Sequence, residues 1–102
     1  MDNAVFVALA DPTRRQLLER LAVGPMTATG LSLRFPVTRQ AVVKHLGTLA
    51  DAGMVAKERH GREVRYSLEG APLGEATEWL TALSARWEAR LLRLKRYVEE
   101  QP

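Results

Sequence analysis

Four polar side chains within seven residues form the chain's strongest chemical feature. They are Thr38, Arg39, Gln40 and Lys44, in the stretch Phe35-Pro36-Val37-Thr38-Arg39-Gln40-Ala41-Val42-Val43-Lys44-His45-Leu46. Pro36 stops whatever precedes it, and Thr38 stands where a hydroxyl accepts from the first unpaired backbone N–H groups of a new helix. Ala41, Val42, Leu46 and Leu49 then repeat at helical spacing, so one side packs inward and the polar four stay outside. Arginine and glutamine carry paired hydrogen-bonding groups that match guanine and adenine edges in the DNA major groove, and lysine suits phosphate. The pattern is that of a helix built to read DNA. A second polar cluster follows it. Lys57, Arg59, His60, Arg62 and Arg65 form a basic ribbon broken by Glu58 and Glu63. Arg59, Arg62 and Arg65 suit the negative potential of a minor groove, with Arg62 beside Gly61 the foremost of them. Charged hairpin tips also serve solubility alone, and a solvated polar face on a small helical domain could look like the first cluster. The proline stop and the basic ribbon occurring together favour nucleic acid over either.

Other chemistries find little support. The absence of cysteine excludes disulfides, thiolate metal sites and a cysteine nucleophile, and fits a reducing compartment. No acid and histidine pair stands at a plausible spacing and no glycine-rich phosphate loop occurs, so no enzyme and no cofactor are expected. A net charge of +3 and a pI near 9.8 favour a polyanion partner without specifying a site. The 102 residues, 46% of them hydrophobic, suit one domain over 1–102 with a small core. The apolar run Ala4-Val5-Phe6-Val7-Ala8-Leu9-Ala10 ends at Asp11-Pro12 and is too short for a membrane span or a signal peptide. A cytoplasmic protein with no membrane partner is expected.

The elements that must hold these residues follow from periodicity. A first helix is predicted over about 3–10, with Val5, Phe6 and Leu9 on one side. Asp11 as N-cap and Pro12 as first helical residue open a second, which carries Leu17, Leu18 and Leu21 and ends at Gly24-Pro25. Thr27 caps a short third helix carrying Leu31 and Leu33. The fourth runs from Thr38 to Ala52, with Gly53 at the left-handed C-cap position. The period then becomes alternating, with Val55, Val64, Tyr66 and Leu68 on one side of two short strands separated by Arg59-His60-Gly61-Arg62, which predicts a hairpin. Pro72 opens a last helix over about 72–99, where Leu73, Ala76, Leu80, Leu83, Trp87, Leu91, Leu94 and Val98 recur at steps of three and four. The fold class expected is mainly α with a small β component: about five helices and a two-stranded wing in the order of a winged helix-turn-helix.

Four segments, in this order and spacing, carry a family likeness: Phe6-Val7-Ala8-Leu9-Ala10-Asp11-Pro12-Thr13-Arg14-Arg15-Gln16-Leu17-Leu18; Thr38 through Leu46 with Leu49; Ala52-Gly53-Met54-Val55; and Gly61-Arg62-Glu63-Val64-Arg65-Tyr66. Together they resemble the ArsR-type winged helix transcriptional regulators over nearly the whole chain. The resemblance implies a homodimeric repressor on double-stranded operator DNA, with the first and last helices forming the dimer interface through Phe6, Leu9, Leu80, Leu83, Trp87, Leu91 and Leu94. It further implies Thr38 on a phosphate, Arg39 and Gln40 on base edges, and Lys44 one turn along the same face. His45 stays outside the base-reading set, since it could touch DNA or pack beside Leu46. Arg14 and Arg15 could approach phosphates or pair with Asp11 and Glu19.

This chain departs from the family pattern in ways that bear on function. Gly30 replaces a common glutamate, so the reciprocal bond of a capping box with Thr27 is lost. Gly47 replaces a long basic residue and costs about 1 kcal/mol of helix propensity against alanine, which shifts phosphate contact towards Lys44 and the wing. Metal-responsive relatives carry Cys-x-Cys where this chain has Thr27-Ala28-Thr29, and the last helix contains glutamates but no histidine, so no metal effector is expected. Trp79 and Trp87 are most economically packing or interface groups. The last helix, at ~40 Å, exceeds what so small a domain can cover, which predicts a two-fold mate. Two alternatives remain at this level: a winged-helix module docking an acidic protein surface, and a repressor that responds to a small molecule.

Overall fold

The computed structural model describes residues 3–100. In chain order it contains α1 (Asn3–Leu9), α2 (Pro12–Leu21), β1 (Met26–Thr27), α3 (Ala28–Ser32), α4 (Arg39–Asp51), β2 (Val55–His60), β3 (Glu63–Leu68) and α5 (Ala71–Glu100). This is a winged helix-turn-helix, mostly helical, with a small antiparallel sheet.

The starts of α2, α3 and α4 are set by side-chain caps. Asp11 accepts from the Arg14 backbone N–H at 3.1 Å, Thr27 from Gly30 at 3.0 Å, and Thr38 from Ala41 at 3.1 Å. In each case the third residue of the new helix gains a partner for its unpaired donor. The stop of α4 is equally local. Gly53 takes φ +75°, which leaves the Met54 N–H on the Leu49 carbonyl at 3.0 Å and the Gly53 N–H on Ala50 at 2.9 Å. That pair of bonds is the Schellman arrangement, and Leu49 and Met54, both fully buried, supply the apolar contact that accompanies it.

The core lies where α2, α3 and α4 meet the sheet. Leu17, Leu31, Val42, Leu46, Leu49 and Met54 are the large fully buried side chains of the core, with Val5 and Ala8 closing it from α1. Phe6 and Leu9 are only partly buried against this core. Leu33, expected beside Leu31, is 84% exposed, because α3 ends at Ser32 and carries no second turn to bring it inward.

The sheet has three strands in the order β1-β3-β2, not the two expected. Met26 and Thr27 pair with Tyr66 and Arg65, so the segment capping α3 also forms an edge of the sheet. The hairpin turn is tighter than predicted. Arg59 and His60 belong to β2, His60 opposes Glu63, and only Gly61-Arg62 lies between the strands. Gly61, at φ +62°, supplies the positive φ that a two-residue II′ turn requires at its first central position.

The last helix starts one residue earlier than expected, at Ala71, and spans 30 residues, about 45 Å. Only Ala76 is buried along it. The chain's radius of gyration is 19.2 Å with extents of 73 × 26 × 22 Å, where a compact chain of this length would have about 13 Å. The excess is α5 projecting from the body.

Candidate nucleic-acid interface

The cap at Thr38 fixes the direction in which α4 leaves the turn, and the buried row Val42, Leu46 and Leu49 fixes its rotation. Arg39, Gln40, Val43, Lys44 and Gly47 are thereby exposed together. Arg39 is the first helical residue, and its Nε donates to the Thr29 hydroxyl of α3 at 3.0 Å. Gln40 and Lys44 extend without a side-chain partner among the described residues. Val43 is 38% exposed and lies one turn from Arg39. It was not singled out from the sequence, although its spacing of four from Arg39 and from Gly47 marks the same face; an apolar group there suits the thymine methyl.

A groove of about 460 Å³ joins this helix to the wing. Thr27 at the end of β1, Thr29 of α3, Arg39 and Val43 of α4, and Arg62 of the turn are among the residues that line it. Arg39 and Arg62, distant in sequence, therefore face one cleft. Arg62 makes no side-chain hydrogen bond or ion pair among the described residues.

The basic ribbon is less uniform than its composition. Directly opposed residues of an antiparallel pair share a face, so the register Lys57 to Tyr66 and Arg59 to Val64 puts both cations on the side of the sheet that carries the apolar residues. Arg65 opposes Glu58 on the other side and is ion-paired to Glu63 at 3.3 Å. Arg59 donates through Nε to the Gly61 carbonyl at 3.1 Å, which ties it to the turn and leaves its terminal nitrogens free. Of the three wing arginines, Arg62 is the least engaged and Arg65 is the one with its charge locally balanced.

Arg14 and Arg15 face inward along the chain, towards α1. Arg14 donates from Nε to the Ala8 carbonyl at 2.8 Å and from Nη2 to Val7 at 3.0 Å. Arg15 donates from Nη1 to Leu9 at 2.6 Å. These are carbonyls of the last turn of α1, where intrahelical partners run out; Val7 also accepts from the Ala10 N–H at 3.2 Å. Asp11 lies 4.0 Å from Arg14, as the sequence allowed, and its carboxyl is held below its ordinary value chiefly by the Arg14 backbone N–H. His45 sits half-buried on the inner flank of α4 with Nδ1 3.5 Å from Arg14 Nη1, away from the Arg39 and Gln40 face. Thr27 and Thr29 are likewise in use, one as a cap and one against Arg39. At Gly30 a Cβ would meet the Met26 methyl at 3.0 Å and the Thr27 hydroxyl at 3.2 Å, so glycine fits this crowded cap where a larger residue would have to displace Met26.

Of the residues expected at a dimer interface, those on α5 are exposed in the single chain, while Phe6 and Leu9 are partly buried against the core. Leu80, Leu83, Leu91 and Leu94 show about half their surface, and Trp87 is 57% exposed. Phe6 meets Trp79 edge to face, centroids 5.6 Å apart and planes at 66°. That contact welds α1 to the base of α5 and makes their apolar surfaces continuous. No helix among the described residues is long and apolar enough to cross a membrane.

An exposed helix bearing arginine and glutamine, beside a basic wing on a helix-turn-helix body, defines a DNA-binding regulator. Comparison with known proteins agrees. Residues 9–58 match the family model described as a helix-turn-helix domain. The chain is 35% identical over 78 residues to the transcriptional repressor SdpR of Bacillus subtilis (strain 168), an alignment covering 76% of this chain and 87% of that one. It is similar in structure to an ArsR-like transcriptional regulator from Rhodococcus sp. RHA1, with TM-score 0.80, 39% identity and coverage of 96% and 92% of the two chains. A second solved ArsR family transcriptional regulator matches with TM-score 0.76 at 36% identity, over 84% of this chain and 89% of its own. The chain belongs to the ArsR family of winged helix-turn-helix transcriptional regulators. Its relatives are DNA-binding regulators and not enzymes.

Proposed function

We propose that this chain is a cytoplasmic repressor that binds a palindromic operator as a homodimer and needs no metal to do so. The observation that carries the reading is the cleft in which Arg39 of α4 faces Arg62 of the wing, with Gln40 and Lys44 extending the same exposed face. Two cations share this cleft, and the carboxylate that borders it, Glu63, is taken up by Arg65; such a site suits a polyanion, and the pairing of a base-reading helix with a phosphate-reading turn suits duplex DNA. A module docking an acidic protein would need the charge but not Gln40. In this reading Thr38 and Lys44 meet phosphates, Arg39 and Gln40 meet base edges in the major groove, and Arg59 and Arg62 lie along the adjacent minor groove. Arg65 joins them by exchanging Glu63 for a phosphate.

The domain is single, and the dimer forms through α1 and α5, with Phe6, Leu9, Leu80, Leu83, Trp87, Leu91 and Leu94 buried against the mate. Support comes from the amount of apolar surface α5 leaves uncovered, since soluble monomers seldom expose so continuous a patch. A two-fold axis then sets two α4 helices in successive major grooves, about 34 Å apart. Independence from metal is supported by the occupation of both threonine hydroxyls at the head of α3. Selecting bound sequences from a random duplex library with the purified protein tests the whole reading. The expected outcome is an inverted repeat with half-sites one helical turn apart; binding with no sequence preference would overturn it.

A further inference from the structure

We propose that Thr29 is a positioning residue for base reading: its hydroxyl orients Arg39 so that the two terminal amino groups of the guanidinium present end-on to a guanine. The inference rests on the assignment of Arg39 as a base reader, and adds what makes that residue selective.

Arg39 stands at the first position of α4, where no preceding turn of helix supports its side chain. A long, rotamer-rich arginine in that place would sample many directions, and the order needed for base contact would have to be imposed on binding. Thr29 supplies the order in advance. It lies on α3, ten residues earlier in sequence, and its Oγ1 accepts from Arg39 Nε at 3.0 Å. Its own helix does not need that oxygen, because Thr27 already caps α3. Threonine is branched at Cβ, which limits χ1 in a helix to two main rotamers, so the acceptor has few places to be.

The choice of acceptor has an electrostatic consequence. A guanidinium has five N–H groups in a planar fork, and engaging the one on Nε leaves the four on the terminal nitrogens. Those form the pair that can span guanine O6 and N7. A hydroxyl fixes the fork without neutralising it. Arg65 shows the alternative within the same protein: its partner is the Glu63 carboxylate at 3.3 Å, which fixes the side chain and balances its charge. Glu63 also borders the Arg39 cleft but is engaged by Arg65, so Arg39 keeps both its orientation and its full charge.

The test uses Thr29→Val, which keeps the shape and removes the hydroxyl, and Thr29→Ser, which keeps the hydroxyl. Binding is measured by full-length protein to the library-selected duplex, to duplexes altered one base pair at a time, and to random duplex across a range of salt. Thr29→Val is expected to lower discrimination about three- to tenfold, the worth of one ordinary hydrogen bond, and only at the base pair that Arg39→Ala also relaxes. Affinity for random duplex and its salt dependence stay as in the wild type, and Thr29→Ser restores discrimination. In an Arg39→Ala background, Thr29→Val adds nothing further. Unchanged discrimination in Thr29→Val, an equal loss on random duplex, or an additive loss in the double variant would each overturn the positioning role. If Arg39→Ala itself relaxes no base pair, the base-reading assignment fails and this inference fails with it. If Arg39→Ala relaxes one and Thr29→Val does not, only the inference fails.

Discussion

Helices α4 and α5 carry nearly the same apolar rhythm and meet opposite fates. In α4 the row Val42, Leu46 and Leu49 is wholly buried, and its polar face is left to a ligand. In α5 the row Leu80, Leu83, Trp87, Leu91 and Leu94 is about half exposed throughout, and past Ala76 no residue of α5 is buried. The rhythm says only that a helix has an apolar side. Whether the same chain covers that side depends on reach: the body is closed by α1, α2, α3 and the sheet, and α5 continues about 45 Å along a line that runs out of body to pack on. The difference teaches that one chain covers the apolar side of α4 by itself and leaves that of α5 uncovered.

The sharpest way to break this comparison is to damage each row in turn. Leu83→Asp puts an uncompensated carboxylate into the proposed interface at a cost of about 3–5 kcal/mol. The wild type should sediment at about 23 kDa, twice the 11.4 kDa chain, and the variant at the monomer mass with the helix-turn-helix body intact. Leu46→Ala instead opens a cavity inside one chain, costing about 2–5 kcal/mol of unfolding free energy, and leaves the mass unchanged until the protein unfolds. A compact wild-type monomer at micromolar concentration would end the contrast.

The next test separates two uses of charge around the α4 cleft. Arg39→Ala and Gln40→Ala should each relax discrimination at particular base pairs by about 1–3 kcal/mol, whereas Arg62→Ala should weaken all sequences alike and flatten the salt dependence. Competition binding with single-base-pair variants at several salt concentrations measures both. Equal losses on operator and random DNA for all three would remove Arg39 and Gln40 from the base-reading set.

A smaller effect is expected at Gly47, on the exposed side of α4 where a Cβ would meet nothing within 4 Å. Gly47→Ala should raise stability by about 1 kcal/mol through helix propensity alone. Thermal unfolding reads it. A loss of stability would mean that this stretch of α4 is less regular than its neighbours.

What could be read beforehand was what is settled within a few residues. Asp11, Thr27, Thr38 and Gly53 cap as expected because a cap needs only its own helix end, and Val64 and Tyr66 fall on the inner side because the strand period is two. Pairings made at a distance were not legible. Strand β1 is two residues long and exists only because Met26 and Thr27 reach Tyr66 and Arg65, some forty positions away. Leu33, expected on the third helix with Leu31, lies just past its end because α3 stops at Ser32. The roles of Arg14 and Arg15 turned on where α1 ends in space, and the hold of Thr29 on Arg39 on how α3 crosses α4. At the candidate site the reading side chains were visible as types, and their supports were not.

The least of the expected effects concerns the carboxyl of Asp11. Asp11 begins α2, next to the arginines that tie α1 to it, and the Arg14 backbone N–H holds its carboxyl below the ordinary aspartate value, with Arg14 and His45 adding smaller attractions. A group whose value is lower folded than unfolded stabilises the fold fully above the unfolded value, and that contribution fades as pH falls through the folded one. Stability carried by Asp11 should therefore be constant near neutrality and decline only in the acid range. Asn caps as well as Asp and does not titrate, so Asp11→Asn should match the wild type's melting temperature near pH 7 to within the lost attraction to Arg14, and show a shallower decline on acidification. Melting curves of the two proteins from neutral to strongly acid pH make the comparison. Parallel acid declines would mean that other carboxylates, such as those of exposed α5, govern acid unfolding, and that the junction of α1 and α2 is held by the arginine bonds to Val7, Ala8 and Leu9 without help from the charge on Asp11.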